Sequence, residues 1–482
     1  MPQDYRAQLT RVRFRRAVAL MVMTLVLPGS AQLVAGRKEV GRIAIRIWLA
    51  LLGSLVLVVL LGLTFHSFIF WFGTNTVILG LIRFVLMGMA VGWAYLFVDS
   101  WMLGDPLALQ RQQRLAMVGL NGVLCFTVAG SLLFFSHVVT VEKNLITSVF
   151  GNGSVTQVHD GRYNVLLLGG DSGADRWGLR PDSMTVASID ADTGRTVLFG
   201  LPRNMLNFPF APGSRMAKQF PHGYTCNTRC INDPQQLGLH ELNSLATWAA
   251  DHKSVFKGVA NPGVEATKEA VEGITGLKIN YYAMVNLLGF RKLVEAVGGV
   301  KLHVRDRIPI GGIGGPVTGY IQPGYRKLNG YQTLWFARSR ESADDYSRMA
   351  RQKCVMNAML HQVSPQRVVL KFQSIADAGE TLLTTDLPAS ELDTFIQLAL
   401  KARSQPVRTV SFVPPMVNTG HPDIATIQAA VKKAIAPAKA SGHAAAKKHR
   451  KHHVSGVTTG GSYGSLSSGY AANQASNLSD AC

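Results

Sequence analysis

The sequence is poor in charged residues, and acidic residues are the scarcer kind. Charged residues make up 16% of the 482 residues, whereas an average soluble protein has roughly 25%. Lysine and arginine number 49 against 29 acidic residues, which gives a net charge of +20. This balance excludes an acidic disordered chain and does not suit a neutral cytosolic enzyme. It leaves either a nucleic-acid-binding protein or a membrane protein with basic loops facing anionic headgroups.

Long apolar stretches decide between these two classes. Residues 47–65 and 115–139 are uncharged, and 77–98 contains only Arg83; each is long enough to span a bilayer as a helix. An earlier apolar stretch, 17–35, is interrupted by Pro28 and Gly29, which predicts a re-entrant segment or a kinked span. We therefore predict a cytoplasmic N-terminus and transmembrane region over 1–140, and no nucleic-acid partner.

The basic residues of this region indicate its orientation. They cluster in 1–16, 36–46 and 99–114, whereas the loop 66–76 has neither lysine nor arginine. Because basic loops stay on the cytoplasmic side, three spans after a re-entrant 17–35 segment place the rest of the chain outside the cell. A fourth full span would place it in the cytoplasm. We predict three spans, hence a multi-pass membrane protein with an extracytoplasmic domain.

The sequence has five cysteines, and two of them are close together. Cys226 and Cys230 enclose a short loop that could close as a disulfide outside the cell. A metal site is the alternative, with His222 as the only local candidate for a further ligand. Cys354 and Cys482 have no obvious partner.

Residues 158–418 alternate between strand and helix patterns, which predicts a layered α/β domain. We predict strands at 163–168, 184–189, 196–201, 280–286 and 300–304, and helices at 264–275, 287–297, 346–362 and 388–403. The glycine-rich stretch 311–315 opens no helix and predicts a flexible loop rather than a dinucleotide site. Residues 430–482 are basic and rich in glycine and serine, which predicts a disordered tail.

Common hydrolytic motifs are missing from this domain. It has no G-x-S-x-G elbow and no H-E-x-x-H zinc motif. The tetrapeptide 170–173 copies the nucleophile segment of chymotrypsin-like proteases, but His159 is the only preceding histidine of the domain. We interpret that match as coincidence.

Polar residues instead follow the ends of the predicted strands. Asp171 comes just past the first strand, and Arg203 comes just past the third. Arg180 and Asp182 lie in the predicted loop before the second strand. Ligand sites in open α/β sheets gather at such ends, so these residues are expected to converge.

A second group of polar residues follows an apolar stretch near 335. It comprises Arg338, Arg340, Asp345, Arg348, Arg351 and Gln352. Arg348 and Gln352 are four residues apart and therefore share one face of the predicted helix. Carboxylates that hold Mg²⁺ and arginines that grip phosphate oxygens are what phosphoryl transfer requires. Scattered surface salt bridges are the alternative interpretation.

Taken in order, these motifs resemble the LytR-CpsA-Psr family of cell-wall glycopolymer ligases. The resemblance rests on NVLLLGGDS (164–172), LRPDSMTVASID (179–190), FGLPRN (199–204), LNSLA (242–246), the segment 263–300 and LNGYQTLWFARSRESADDYSRMARQ (328–352). It covers most of 160–365. The family implies a central mixed sheet flanked by helices, with an apolar pocket for a polyprenyl chain that Tyr281 to Phe290 help to line.

The resemblance also implies an activity. Such proteins transfer a glycopolymer from a polyprenyl-diphosphate carrier to peptidoglycan, with Mg²⁺, through a phosphodiester bond. Asp171 and Asp182 would be the metal ligands and Arg180 would stabilise that site. The diphosphate-binding residues would be Arg203, Arg338, Arg340, Arg348 and Gln352. The expected partners are the lipid-linked glycopolymer, peptidoglycan and membrane lipid.

Three features depart from the family pattern. Asn204 replaces the usual aspartate after Pro202-Arg203, Gly173 stands where an arginine is common, and the N-terminal region is larger than a single anchor. The lost carboxylate leaves a non-catalytic scaffold that binds polyprenyl-phosphate lipid or cell wall as the alternative function. The sequence leaves open which glycopolymer is carried, the prenyl length and the oligomeric state.

Overall fold

The computed structural model describes residues 3–65, 68, 71–73, 75–150, 155–171, 180–312, 315–340, 344–362, 383–436, 473 and 476–481. The chain divides into two compact units, residues 1–147 and 148–482. Each unit has its own buried core.

The N-terminal unit is helical. Its helices are α1 (Gln3–Val26), α2 (Ser30–Val34), α3 (Lys38–Thr64), α4 (Thr76–Leu103) and α5 (Arg111–Val149), with a 3₁₀ turn at Pro106–Ala108. Three segments, Lys38–Thr64, Thr76–Leu103 and Arg111–Asn144, are long and apolar enough to cross a membrane. The predicted stretches 77–98 and 115–139 lie within them, and 47–65 exceeds the first by one residue, Phe65.

The stretch 17–35 is divided between α1 and α2 by a turn around Pro28. Gly29 has φ +93°, and a Cβ there would come within 2.7 Å of the carbonyl oxygen of Gly41. A side chain is therefore excluded on two counts, backbone conformation and space. Whether this stretch re-enters or spans the bilayer remains a prediction.

The C-terminal unit alternates strands and helices. Its strands are β1 (Arg162–Asp171), β2 (Arg180–Asp190), β3 (Thr196–Leu201), β4 (Tyr281–Asn286), β5 (Val300–Val304), β6 (Ile308–Gly311), β7 (Val317–Ile321), β8 (Gly324–Leu328), β9 (Leu383–Thr385) and β10 (Arg408–Ser411). Its helices are α6 (Arg215–Gln219), α7 (Thr228–Asn232), α8 (Pro234–His240), α9 (Leu245–Asp251), α10 (Pro262–Thr275), α11 (Leu287–Ala296), α12 (Gly330–Arg338), α13 (Asp345–Gln362), α14 (Leu392–Arg403) and α15 (Ile424–Ile435). Short 3₁₀ turns lie at Leu242–Ser244, Lys253–Phe256, Ala389–Glu391 and Leu478–Ala481.

Six strands form the central sheet, in the order β10-β3-β2-β1-β4-β9. β1 is parallel to β4 and β10 is parallel to β3, whereas the other neighbours are antiparallel. The sheet is therefore mixed, and helices cover it on both faces. The predicted α/β fold, a central mixed sheet flanked by helices, is confirmed.

Alternation along β1 sends neighbouring side chains to opposite faces of the sheet. Leu166 and Leu168 belong to the main core, which also contains Ile274 of α10 and Ile427 of α15. Leu167 faces the other way and packs in a smaller cluster with residues of α13, among them Met356. Helix α13 therefore lies against the second face of the sheet.

A second core surrounds two antiparallel strand pairs, of whose four strands only β5 was predicted. β5 pairs with β8, and β6 pairs with β7, and their buried side chains pack on α11, α12 and α13. Of the predicted loop 311–315, Gly311 ends β6 and pairs with Val317, the following residues lie between β6 and β7, and residues 313–314 are outside the described residues.

The C-terminal end differs from the prediction. Helix α15 continues to Ile435, past the predicted start of the tail at 430. Asn473 and Leu478 are buried, with 3% and 2% of their surface exposed, so the predicted disorder of 430–482 is wrong at these positions. The reason is local: an apolar side chain and backbone hydrogen bonds offset the ordering cost that a Gly/Ser-rich composition otherwise leaves uncompensated. Residues 437–472 lie outside the described residues.

The structure also decides between the two interpretations of the cysteine pair. Cys226 and Cys230 form a disulfide, as one of the two predicted alternatives requires. The nearby histidine is His240 rather than His222. Cys354 is also disulfide-bonded, although the sequence showed no partner for it, and Cys482 lies outside the described residues.

Candidate active site

The site begins with an irregularity between β1 and β2. Gly169 pairs with Ser183, but Gly170 pairs with Pro181, so Asp182 is an extra residue without a partner on β1. Bulges of this kind redirect a side chain and often occur beside active sites. The predicted loop position of Arg180 and Asp182 is wrong: β1 continues to Asp171, which gives residues from 180 onwards a strand to pair with.

Arg203 lies just beyond the end of β3 and binds two carboxylates. Its Nη1 is 2.6 Å from Oδ1 of Asp182, and its Nε is 3.2 Å from Oδ1 of Asp345. Residues from β2, the β3 loop and α13 thus meet at one point. Of the residues predicted to converge, Asp182 and Arg203 meet in the structure, whereas Arg180 makes its hydrogen bonds elsewhere.

Arg348 of α13 is the second arginine of this network and bonds to both Asp345 and Asp182. Its Nη2 donates to Oδ2 of Asp345 at 3.0 Å and to the carbonyl oxygen of Asp182 at 2.8 Å. Only 2% of the Arg348 side chain is exposed. Since a buried guanidinium needs compensating charge, Asp345 is what allows Arg348 to lie here.

The charges of the network shift the pKa of its members. Burial alone would raise the pKa of Asp182, but Arg348, Arg203 and Arg340 together lower it below its ordinary value. Burial acts against the charge of Arg203, whereas Asp345 and Asp182 outweigh it and raise the pKa of Arg203. Both groups are therefore charged at neutral pH.

Two acidic residues belong to this site although neither was predicted to bind metal or diphosphate. Asp345 bridges Arg203 and Arg348, and its position three residues before Arg348 on a helix was the signal available. Glu241 precedes the LNSLA segment, where the backbone N–H of Asn243 donates to the carbonyl oxygen of Arg203. Burial raises the pKa of Glu241, which Arg203 partly counteracts.

The remaining predicted residues are placed differently. Arg180 donates to Thr247 and to the carbonyl oxygen of Gly238, both at 3.4 Å, and is not bonded to Asp182. Arg340 is half-buried and makes no ion pair within the described part of the chain, yet its charge acts on Asp182. The backbone of Asp171 ends β1 opposite Arg180, and its side chain lies outside the described residues.

An apolar cavity of about 210 Å³ opens beside the network. Asp182, Arg338, Arg348 and Gln352 lie on its wall together with apolar side chains of β1, α11, α12 and α13. Arg348 and Gln352 do share one helix face, as their spacing indicates. The cavity is therefore charged on one part of its wall and apolar over the rest.

The segment predicted to line a lipid pocket does so in its second half only. Val285, Asn286, Leu287 and Phe290 line the cavity. Tyr281 and the residue after it are buried at 1% and 7% exposure because they start β4 at its other end.

The carboxylate of Asp182 fits a Mg²⁺ ligand. Oδ1 of Asp182 faces Arg203, whereas Oδ2 accepts no hydrogen bond from the residues that the structure describes. Proteins usually hold Mg²⁺ with one or two carboxylates, completed by water and substrate phosphates. A carboxylate with one open oxygen beside arginines suited to phosphate matches that arrangement.

Comparisons with known proteins identify the family of the chain. The sequence matches the LytR_cpsA_psr family over residues 136–436. The chain belongs to this family. Together with the three apolar N-terminal helices, membership indicates a membrane-anchored LytR-CpsA-Psr protein.

Similar curated proteins share about a quarter of their residues with the chain. Biofilm regulatory protein A of Streptococcus mutans is 26% identical over 248 residues, which are 50% of this chain and 53% of that protein. The polyisoprenyl-teichoic acid–peptidoglycan teichoic acid transferase TagU of Oceanobacillus iheyensis is 28% identical over 249 residues, 50% of this chain and 64% of that protein. The cell wall biosynthesis protein LcpA of Corynebacterium glutamicum is 26% identical, with 45% and 44% covered. The match spans about half the length of these relatives.

Solved structures with similar folds include protein gbs0355 of Streptococcus agalactiae, at 21% identity and a TM-score of 0.43, covering 56% of this chain and 87% of that chain. TagV of B. subtilis is similar at 19% identity and a TM-score of 0.41, with 57% and 98% covered.

Proposed function

We propose that this protein is a membrane-anchored, Mg²⁺-dependent phosphotransferase. It attaches a glycopolymer from a polyprenyl-diphosphate carrier to peptidoglycan through a phosphodiester bond. Its C-terminal unit lies outside the cell on a multi-pass anchor, where donor and acceptor both reside.

One observation carries the proposal: a network of buried arginines and carboxylates borders an apolar cavity. Arg338, Arg348 and Gln352 line the same cavity as Leu167 and Phe290. A polyprenyl-diphosphate is itself a charged head on an apolar tail. The names of the relatives, a teichoic acid transferase and a cell wall biosynthesis protein, support the same class of substrate.

In this proposal the guanidinium groups hold the diphosphate and align it. A hydroxyl oxygen of the acceptor sugar attacks the phosphorus that carries the glycopolymer. The new P–O bond forms as the P–O–P bridge breaks, the prenyl monophosphate leaves and the hydroxyl proton is released. Positioning and charge stabilisation supply most of the rate in reactions of this kind.

Asp171 and Asp182 would hold Mg²⁺, which supplies positive charge to the phosphate oxygens when bound. Asp182 is charged at neutral pH, because the arginines lower its pKa. Asn204 cannot add a further carboxylate, but Arg203 keeps two carboxylate partners in Asp182 and Asp345. The aspartate that the family usually has at position 204 is therefore not needed here to orient Arg203.

A non-catalytic scaffold remains the second candidate, and Asn204 is the feature that favours it. Its Oδ1 is buried without a hydrogen-bond partner among the described residues. A scaffold would bind the lipid carrier but release no prenyl monophosphate. The two candidates therefore differ in turnover and not in binding.

The test measures transfer from purified lipid-linked glycopolymer to peptidoglycan with the full chain in detergent. Arg203→Ala and Asp182→Asn should each lower transfer at least about a hundredfold, a typical loss when one charge-stabilising group is removed. Arg326→Ala and Asp192→Asn, at exposed positions, are the matched controls and should retain wild-type rates. Full transfer by both site variants would refute the site, and lipid binding without any turnover by the wild type would establish the scaffold.

A further inference from the structure

The C-terminal strap, which we define as Asn473 and residues 476–481, packs against the helix that carries the site. That helix, α13, bears Asp345, Arg348 and Gln352. The strap follows a long segment of low sequence complexity, and neither the strand pattern nor the motifs point to it.

Backbone hydrogen bonds attach the strap to the edge of the central sheet. The N–H of Thr409 donates to the carbonyl oxygen of Ser476 at 2.9 Å, and the N–H of Leu478 donates to that of Val407 at 2.8 Å. Between them, Arg408 and Asn477 form an antiparallel bridge. The strap thus continues the sheet beyond β10.

Apolar contacts attach the strap to α13 as well. Leu478 is 2% exposed and belongs to the cluster that contains Leu198 of β3. Met356 and Leu360 of α13 pack against the same cluster. One buried leucine therefore joins the sheet edge to this helix.

Asn473 makes the most specific contacts of the strap. Its Nδ2 donates to the carbonyl oxygen of Tyr346 at 2.7 Å, and its Oδ1 accepts from Ser411 of β10 at 3.5 Å. Its own carbonyl oxygen accepts from Lys353 at 3.3 Å. With 3% of its surface exposed, Asn473 links the first turn and the middle of α13 to the sheet.

The first turn of α13 is where these contacts matter for the site. Tyr346 directly follows Asp345, the carboxylate that holds both Arg203 and Arg348. A shift of this turn would move Asp345 and Arg348 relative to Asp182. Because a misplacement of about 1 Å can cost a hundredfold in rate, the anchoring of this turn has a catalytic consequence.

We propose that Asn473 is a positioning residue for the arginine network. It fixes the first turn of α13 so that Arg348 and Gln352 face the cavity in the geometry that phosphoryl transfer requires. The effect on turnover rests on the proposed function, whereas the effect on α13 does not. The competing interpretation is that the strap only covers a sheet edge.

Hydrogen exchange of the full chain in detergent separates these interpretations without any assay of activity. In Asn473→Ala, backbone amides of 345–353 should exchange about tenfold faster, since one buried hydrogen bond to the helix is lost. Asn477→Ala is the matched control, because the side chain of Asn477 donates to Asp480 within the strap and not to α13. Leu478→Asp removes the apolar contact between the strap and α13 instead of the hydrogen bond, and it should also give faster exchange.

Transfer kinetics then test the catalytic part. Asn473→Ala should lower kcat about tenfold and leave KM for the lipid donor nearly unchanged, because the cavity wall that binds the tail is intact. Unchanged exchange in 345–353 would overturn the inference whatever the activity. Faster exchange with wild-type kcat would overturn the catalytic role, and faster exchange in a chain without transfer activity would support the inference while refuting the proposed function.

Discussion

Asp345→Asn tests whether the arginine network is held together by Asp345. The carboxylate is 14% exposed and binds Arg203 at 3.2 Å and Arg348 at 3.0 Å. Asparagine has nearly the same shape, but it keeps one acceptor oxygen and turns an N–H donor toward the second arginine. The change therefore removes charge and one hydrogen bond without opening a cavity.

The cost follows from the burial of Arg348. Breaking a buried ion pair from one side typically costs about 3–5 kcal/mol, because the other charge stays buried. Arg348 is 2% exposed but keeps its bond to the carbonyl oxygen of Asp182 at 2.8 Å, and Arg203 is 19% exposed. We therefore expect a loss of about 2–3 kcal/mol in the free energy of unfolding of the C-terminal unit.

Urea unfolding of the full chain in detergent, followed by tryptophan fluorescence, measures this loss. Asp192→Asn is the control, because Asp192 is exposed and surface changes of this kind stay within about 0.5 kcal/mol. If Asp345→Asn is as stable as Asp192→Asn, Asp345 does not compensate Arg348 and the description of the network is wrong.

Three further predictions concern the C-terminal unit. The ion pairs lower the pKa of Asp182. The contribution of Asp182 to the free energy of unfolding is therefore present above its unfolded pKa near 4 and is lost as pH falls through the lower folded value. In acid titrations followed by circular dichroism, wild type should lose more stability below pH 4 than Asp182→Asn. Burial lowers the pKa of Lys353 to about 7. Since the unfolded state then binds a proton that the folded state lacks, stability should rise as pH increases from about 7 to about 10. Lys353→Met should abolish this rise in thermal melts, and an equal rise in both proteins would contradict the burial of Lys353. Removing the Cys226–Cys230 disulfide by a double change to serine should cost about 2 kcal/mol, the chain-entropy value for so short a loop, and urea midpoints identical to wild type would refute a structural role.

Four of the six strands of the central sheet, β1 to β4, were predicted, whereas the edge strands β9 and β10, of three and four residues, were not. β1, β3 and β4 are continuous apolar runs with turn residues at their ends, and β3 lies at the predicted residues. β5 was predicted, but its partner β8 was not, because β8 exposes most of its side chains and this leaves no run of apolar residues to detect.

The site was predicted as a set of residues but not as a geometry. The motifs predicted Asp182, Arg203 and Arg348 as site residues, and the structure places them in contact. The bulge at Asp182 depends on the register between two strands, which no local pattern encodes. Asp345 and Asn473 act through contacts across the fold, and Asn473 lies in a segment whose composition alone indicates disorder.

The most direct test of the account is a structure of the full chain with a polyprenyl-diphosphate bound. We expect the prenyl chain in the cavity between β1 and α13, with the diphosphate within hydrogen-bond distance of Arg338 and Arg348 and close to Arg203 and Arg340. A lipid bound elsewhere, with this cavity empty and Arg203 still paired only with Asp182 and Asp345, would contradict the central claim.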